Sequence, residues 1–124
     1  MFEVFNFIQF KFIWTIWRAK IHILIINFTA NWTAEEYDQG TTELAPVFAE
    51  VDGLIVKNFL FNHETKTYGG CYMFNSKKDM EAYKKGEIFK SIIENPDWSD
   101  FVVRDFEVHA EASEIQKNLK DKAA

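Results

Sequence analysis

The chain has 124 residues, a formal net charge of −5, 48% hydrophobic content and 27% charged residues. That length holds one domain around one core, and the 17% aromatic share excludes intrinsic disorder. An acidic balance with no Lys/Arg block excludes a nucleic-acid footprint, and the single Cys71 excludes an intrachain disulfide or a cysteine-built zinc site.

Residues 1–19 read as a hydrophobic extension of unknown role, ahead of a domain spanning 20–124. Lys11, Arg18 and Lys20 interrupt its apolar run, so it is too charged for a membrane span. With Glu3 at the start and no small-residue cleavage site it does not read as a secretory signal. A cytoplasmic protein without membrane association is expected.

Ile21 to Phe28 is short and dense in Ile, the pattern of a strand buried on both faces. Thr33 with Glu36 three residues later is a capping box. The helix it opens carries Tyr37, Thr41, Leu44, Phe48 and Val51 at helical spacing, and Pro46 predicts a kink or break. Leu54–Phe61 and Thr67–Phe74 read as a hairpin around the polar loop Asn62–Lys66. Gly69 and Gly70 inside the second strand suggest a bulge or a close approach. Ser76 and Asp79 open a second helix with Met80, Tyr83, Phe89, Ile92 and Ile93 on its buried side, loosened at Gly86 and ended by Pro96. Phe101–His109 is a fourth strand, and Ser113 caps a last short helix.

The order is that of a ferredoxin-like βαββαβ α+β fold. Side-chain alternation sets Ile21, Ile23 and Ile25 against Leu24, Ile26 and Phe28 on the first strand, and Leu54, Val56 and Leu60 against Ile55, Phe59 and Phe61 on the second. Both sheet faces are therefore apolar, while the helices cover only one. At about 1.5–3 kcal/mol per large side chain, the uncovered face predicts a homodimer packed sheet to sheet.

Gly53-Leu54-Ile55-Val56-Lys57 followed by Gly69-Gly70-Cys71-Tyr72-Met73-Phe74 resembles the G-x-x-x-K … G-G-x-Y-x-F pattern of the YdhR monooxygenase family, as do Ala82-Tyr83 and the closing strand Val103–Val108. The likeness spans roughly residues 20–118. It implies a dimeric α+β barrel and a cofactor-independent monooxygenase acting on a small hydrophobic aromatic substrate, with no metal. The chain has Val56 and Phe59 where the family carries Trp, and Lys84-Lys85-Gly86-Glu87 where it usually carries a His. The alternative is therefore a non-catalytic dimer of the same fold that binds a small ligand.

Such an oxygenation needs an electron-rich substrate in a dry pocket, with a base or hydrogen-bond donor for its anion. Phe48, Phe59, Tyr83 and Phe89 are the expected substrate contacts. Tyr72 is a candidate donor to a substrate oxygen, Asn58 a candidate to orient a carbonyl, and His22 a candidate base, since its ordinary pKa lies near neutrality. Each also has a structural reading, as a core aromatic, a sheet-surface amide or a satisfied histidine. Lys57 and Asn58 must point to opposite sheet faces, and Lys57 is expected to pair with a carboxylate across the sheet, the alternative being to bind an anion. His63 reads as a solvated loop residue and Cys71 as a small hydrophobe.

Overall fold

A computed structural model describes residues 20–123; the extension 1–19 lies outside the described residues. The element order is β1 (His22–Thr29), α1 (Ala34–Ala49), β2 (Leu54–Asn62), β3 (Thr67–Phe74), α2 (Lys77–Lys84), α3 (Glu87–Ile93), β4 (Ser99–Glu107) and α4 (Ala110–Ala123). The strands form one antiparallel sheet in the order β2-β3-β1-β4, the ferredoxin-like arrangement expected from the element order.

On β1, His22, Leu24, Ile26 and Phe28 are buried while the residues between them are half-buried. Tyr68, Tyr72 and Phe74 of β3 continue the buried row. Tyr37 and Phe48 from α1, with Met80 and Tyr83 from α2, close over that face to complete the core. Thr33 caps α1, its Oγ1 accepting from the Glu36 N–H at 3.1 Å, and Ser76 caps α2 by accepting from Asp79 N–H at 3.1 Å. Such caps are worth about 0.5–2 kcal/mol each.

β4 runs Ser99–Glu107, two residues earlier than expected, which leaves His109 outside the strand. The structure departs from the sequence reading at four further places. First, α1 runs through Pro46 without a break. Pro46 and Thr42, whose carbonyl loses its helical donor, are both exposed, where solvent can satisfy that carbonyl. Second, the expected second helix is two helices: the chain interrupts at Lys85 and restarts with Gly86 as the N-cap of α3. Third, α4 starts before Ser113. His109 Nδ1 accepts from the Ala112 N–H at 3.1 Å and does the capping, while the Ser113 N–H donates to the His109 carbonyl.

The fourth departure matters most. Leu54 pairs with Phe74 but Val56 pairs with Met73, so Ile55 and Val56 together oppose one residue in a β-bulge. Leu54 therefore joins the helix-covered face instead of the outer row of Val56 and Leu60. From the bulge onward the alternation is reset: Lys57 pairs with Tyr72, Phe59 with Gly70 and Phe61 with Tyr68, all on the helix side. No helix among the described residues is long and apolar enough to cross a membrane.

Candidate active site

Between the covered sheet face and helices α1 and α3 lies a cavity of about 260 Å³. Its floor is Ile26 and Phe28 of β1 with Tyr68 and Tyr72 of β3; Phe48 and Leu44 of α1 and Ile88 and Ile92 of α3 form the walls. Two loop tryptophans complete it. Trp98 stacks on Phe28 with ring centroids 4.5 Å apart and an interplanar angle of 12°. Trp32 meets Trp98 at 5.2 Å and Tyr68 at 4.8 Å, both edge to face. These are the preferred geometries of aromatic pairs, so the wall is stiff as well as apolar.

Most polar groups on this lining are already engaged. The Tyr37 hydroxyl donates to the Leu60 carbonyl at 3.2 Å, Tyr68 Oη shares a 2.8 Å hydrogen bond with His63 Nδ1, and the Thr41 and Ser91 hydroxyls bond to backbone carbonyls of their own helices. Lys57 is different. Its Nζ lies 3.4 Å from the Phe48 ring centroid, 4.2 Å from Phe59 and 4.7 Å from Tyr72. It is the one charged side chain on the lining, and no carboxylate among the described residues pairs with it. The expected cross-sheet ion pair is therefore absent among the described residues, because Lys57 shares the helix-covered row of Phe59 and Phe61. Burial lowers the amine from 10.5 to about 7, since an apolar wall disfavours the ammonium.

The double glycine makes room for this arrangement. A Cβ on Gly70 would sit 2.7 Å from Lys57 Cε and 3.0 Å from the Tyr72 ring, in the space the lysine stem crosses. A Cβ on Gly69 would meet the Ile26 carbonyl oxygen of the neighbouring strand at 1.8 Å, and Gly69 has φ +158°. Gly69 thus serves strand approach, and Gly70 serves the site.

Tyr72 is 1% exposed and lines the cavity. The Tyr83 hydroxyl donates to Tyr72 Oη at 3.3 Å, which leaves the Tyr72 proton free to donate onward. Burial, then the charge and hydrogen bond of Tyr83, push the Tyr72 phenol well above its ordinary range; Tyr83 is pushed up to about 12 by burial, with its bond to Tyr72 opposing. Both are neutral donors at physiological pH, not bases.

Of the residues expected from sequence, Tyr72, Phe48 and Phe59 come together on the cavity. Tyr83 and Phe89 stand behind Tyr72: Tyr83 through its hydroxyl, Phe89 by an edge contact to Tyr83 at 6.0 Å. Asn58 does not join them. It pairs with Cys71 on the outer sheet face and is exposed, as strand alternation next to an inward Lys57 requires. His22 also lies off the lining. It sits four residues before Ile26, about 13 Å along the strand, with Nε2 bonded to Asp105 Oδ1 at 2.7 Å and Nδ1 unpaired. The hydrogen bond from His22 holds the Asp105 carboxyl below its ordinary value. His63 is held by Tyr68 instead of being simply solvated. No group of three or more metal-ligating side chains occurs among the described residues.

Sequence reasoning missed Lys57 as a cavity residue, along with Trp32 and Trp98. Alternation already sets Lys57 on the row of Phe59 and Phe61, but which row the helices cover is settled only by the pairing of β2 with β3. The tryptophans converge on Phe28 from separate loops, and no periodicity marks them.

The sequence model of the family described as "Putative mono-oxygenase ydhR" matches residues 23–119. A search of the curated proteins found no match. Among solved structures, the chain is similar to protein NE2512 from Nitrosomonas europaea, with 16% identity, 73% of this chain and 91% of that one covered, and a TM-score of 0.60. It is similar to SO0527 from Shewanella oneidensis at 10% identity, 73% and 92% coverage and a TM-score of 0.59. It also resembles SnoaB, a cofactor-independent oxygenase from Streptomyces nogalater, at 14% identity, 73% and 94% coverage and a TM-score of 0.57. At these identities the likeness is one of fold.

Proposed function

We propose, from the premise that this chain belongs to the ydhR mono-oxygenase family, that it is a cofactor-independent monooxygenase taking a small hydrophobic aromatic substrate into the cavity under α1 and α3. The observation that carries this reading is the meeting of Tyr72 and Lys57 on an otherwise aromatic and aliphatic lining. A few convergent polar groups on an apolar wall are what an aromatic ligand site requires. The reaction inserts one atom of dioxygen at an activated carbon and releases the other as water, converting a CH₂ to C=O with no other oxidant. Tyr72, steadied by Tyr83, is placed to donate to the substrate oxygen as negative charge gathers on it. Similarity in fold to SnoaB, described as a cofactor-independent oxygenase, supports the same reading.

The partner in this proposal is a second copy of the chain. On the outer sheet face Val56 is 42%, Val102 42% and Phe106 51% exposed, beside half-buried Ile23, Ile25 and Met73. Ile115 and Leu119 of α4, one turn apart, are exposed at 49% and 64%. Exposed apolar side chains in this number are a liability on a monomer, and a two-fold copy of the same sheet face covers those on the sheet. A cytoplasmic setting belongs to the proposal as well, resting on the lone thiol of Cys71.

The test is oxygen uptake by purified protein with anthrone- and quinol-type compounds. A rate above buffer is expected, falling about 100-fold in Tyr72→Phe, the size of effect seen when one oxyanion donor is removed. Binding of these compounds with no uptake would replace the enzyme reading with that of a ligand-binding protein.

A further inference from the structure

We propose that Lys57 is the catalytic base of this cavity, and that it selects hydroxyaromatic or enolisable aromatic substrates whose anion pairs with its ammonium. The inference rests on the monooxygenase reading above and assigns a role and substrate class within it.

The geometry gives Lys57 ring faces but no carboxylate or carbonyl partner among the described residues. A lysine turned inward among apolar groups normally finds a carboxylate or a carbonyl. Here Nζ has three ring faces and no acceptor among the described residues. It stands on the helix-covered row with Phe59 and Phe61, and Gly70 clears its path. The titratable groups that share its lining are the phenols of Tyr37, Tyr68 and Tyr72; the lowering of its pKa to about 7 has burial as its cause, with no charged neighbour contributing. An amine near neutrality suits proton transfer at physiological pH, whereas Tyr72 and Tyr83 are too weakly acidic to serve as bases.

Neutral Lys57 takes the substrate's hydroxyl or enol proton, and the resulting ammonium pairs with the oxyanion, to which Tyr72 also donates. The anion passes one electron to dioxygen, and the radical pair closes a C–O bond at the activated carbon. Lys57 returns its proton to the peroxide. Loss of the remaining proton on that carbon, with O–O cleavage, leaves a carbonyl and water. Substrate and dioxygen supply every electron. A substrate without an acidic hydroxyl or enol binds without reacting.

The probes are 4-nitrophenol and its methyl ether, 4-nitroanisole, at a pH about one unit below the phenol's own pKa. Wild type is expected to bind the phenol with the absorption of its anion. Lys57→Met should bind it about tenfold or more weakly, as the neutral form, while the ether binds both proteins alike. Lys57→Arg, which keeps the charge but cannot release a proton, should still bind the anion yet lose oxygen uptake with anthrone-type substrates by about 100-fold or more. Circular dichroism establishes that each variant folds, and Lys57→Gln replaces Met if that variant does not. A neutral phenol on wild type, an anion on Lys57→Met, or full turnover by Lys57→Arg each overturns the proposal while leaving the cavity reading intact. Failure of both probes to bind wild type overturns the cavity reading, and this proposal with it.

Discussion

Replacing Lys57 by Met should make the protein more stable, and the gain should depend on pH in one direction. The substitution keeps the length of the stem and removes an amine that burial lowers from 10.5 to about 7. At about 1.4 kcal/mol per pKa unit the fall corresponds to roughly 5 kcal/mol against the fully charged folded state, an upper bound. Water at the cavity mouth screens the charge, and the ring faces return about 0.5–2 kcal/mol, so the expected gain is about 1–3 kcal/mol. The folded-state value lies below the unfolded one, so the unfolded chain holds the extra proton between about pH 7 and 10.5. Wild-type stability therefore rises through that window, and the advantage of Lys57→Met is full below pH 7 and fades toward 10.5. Urea unfolding of both proteins across that range, at one protein concentration, measures the difference with other titrations cancelled. A variant less stable than wild type near neutrality, or a difference that ignores pH, would refute the reasoning.

Gly70→Ala should push Lys57 aside at a cost of about 1 kcal/mol and cut turnover about tenfold. Gly69→Ala, which drives a methyl into the Ile26 carbonyl, should cost more than about 3 kcal/mol; paired urea curves and uptake rates separate the two. Asp105 has its carboxyl lowered chiefly by the hydrogen bond from His22, so it contributes stability above its unfolded pKa that is lost as pH falls through its folded value. Melting temperatures over the acid range should fall steeply in wild type and more gently in Asp105→Asn. Sedimentation should give twice the chain mass for wild type, and Phe106→Glu, which places a charge on the apolar outer face, should give the single mass; a monomeric wild type would remove the dimer.

The order of elements could be read from local signals because local physics sets it: the Ile-rich run of β1, the Thr33/Glu36 and Ser76/Asp79 caps and the polar loop between β2 and β3 each act within a few residues. Tyr72, Phe48 and Phe59 were legible as site residues for the same reason, lying on faces that strand or helix periodicity defines. The rest depends on contacts distant in sequence. One bulged residue in β2 moves Leu54 to the row of Phe59 and Phe61, and Lys57, on that row by alternation, reaches the cavity because the helices cover that face. His22 looked like a base because its partner, Asp105, is 83 residues away. Trp98 reaches Phe28 only once β4 lies beside β1. Pro46 misled because its effect on a helix depends on whether the freed carbonyl meets water, which only the fold decides.

The most direct test of the central claim is a crystal structure of the protein soaked with 4-nitrophenol. The ring is expected between Trp98 and Tyr72, with its phenolic oxygen within about 3 Å of Lys57 Nζ. A ring bound outside the cavity, or inside it with the oxygen turned away from Lys57, would contradict it.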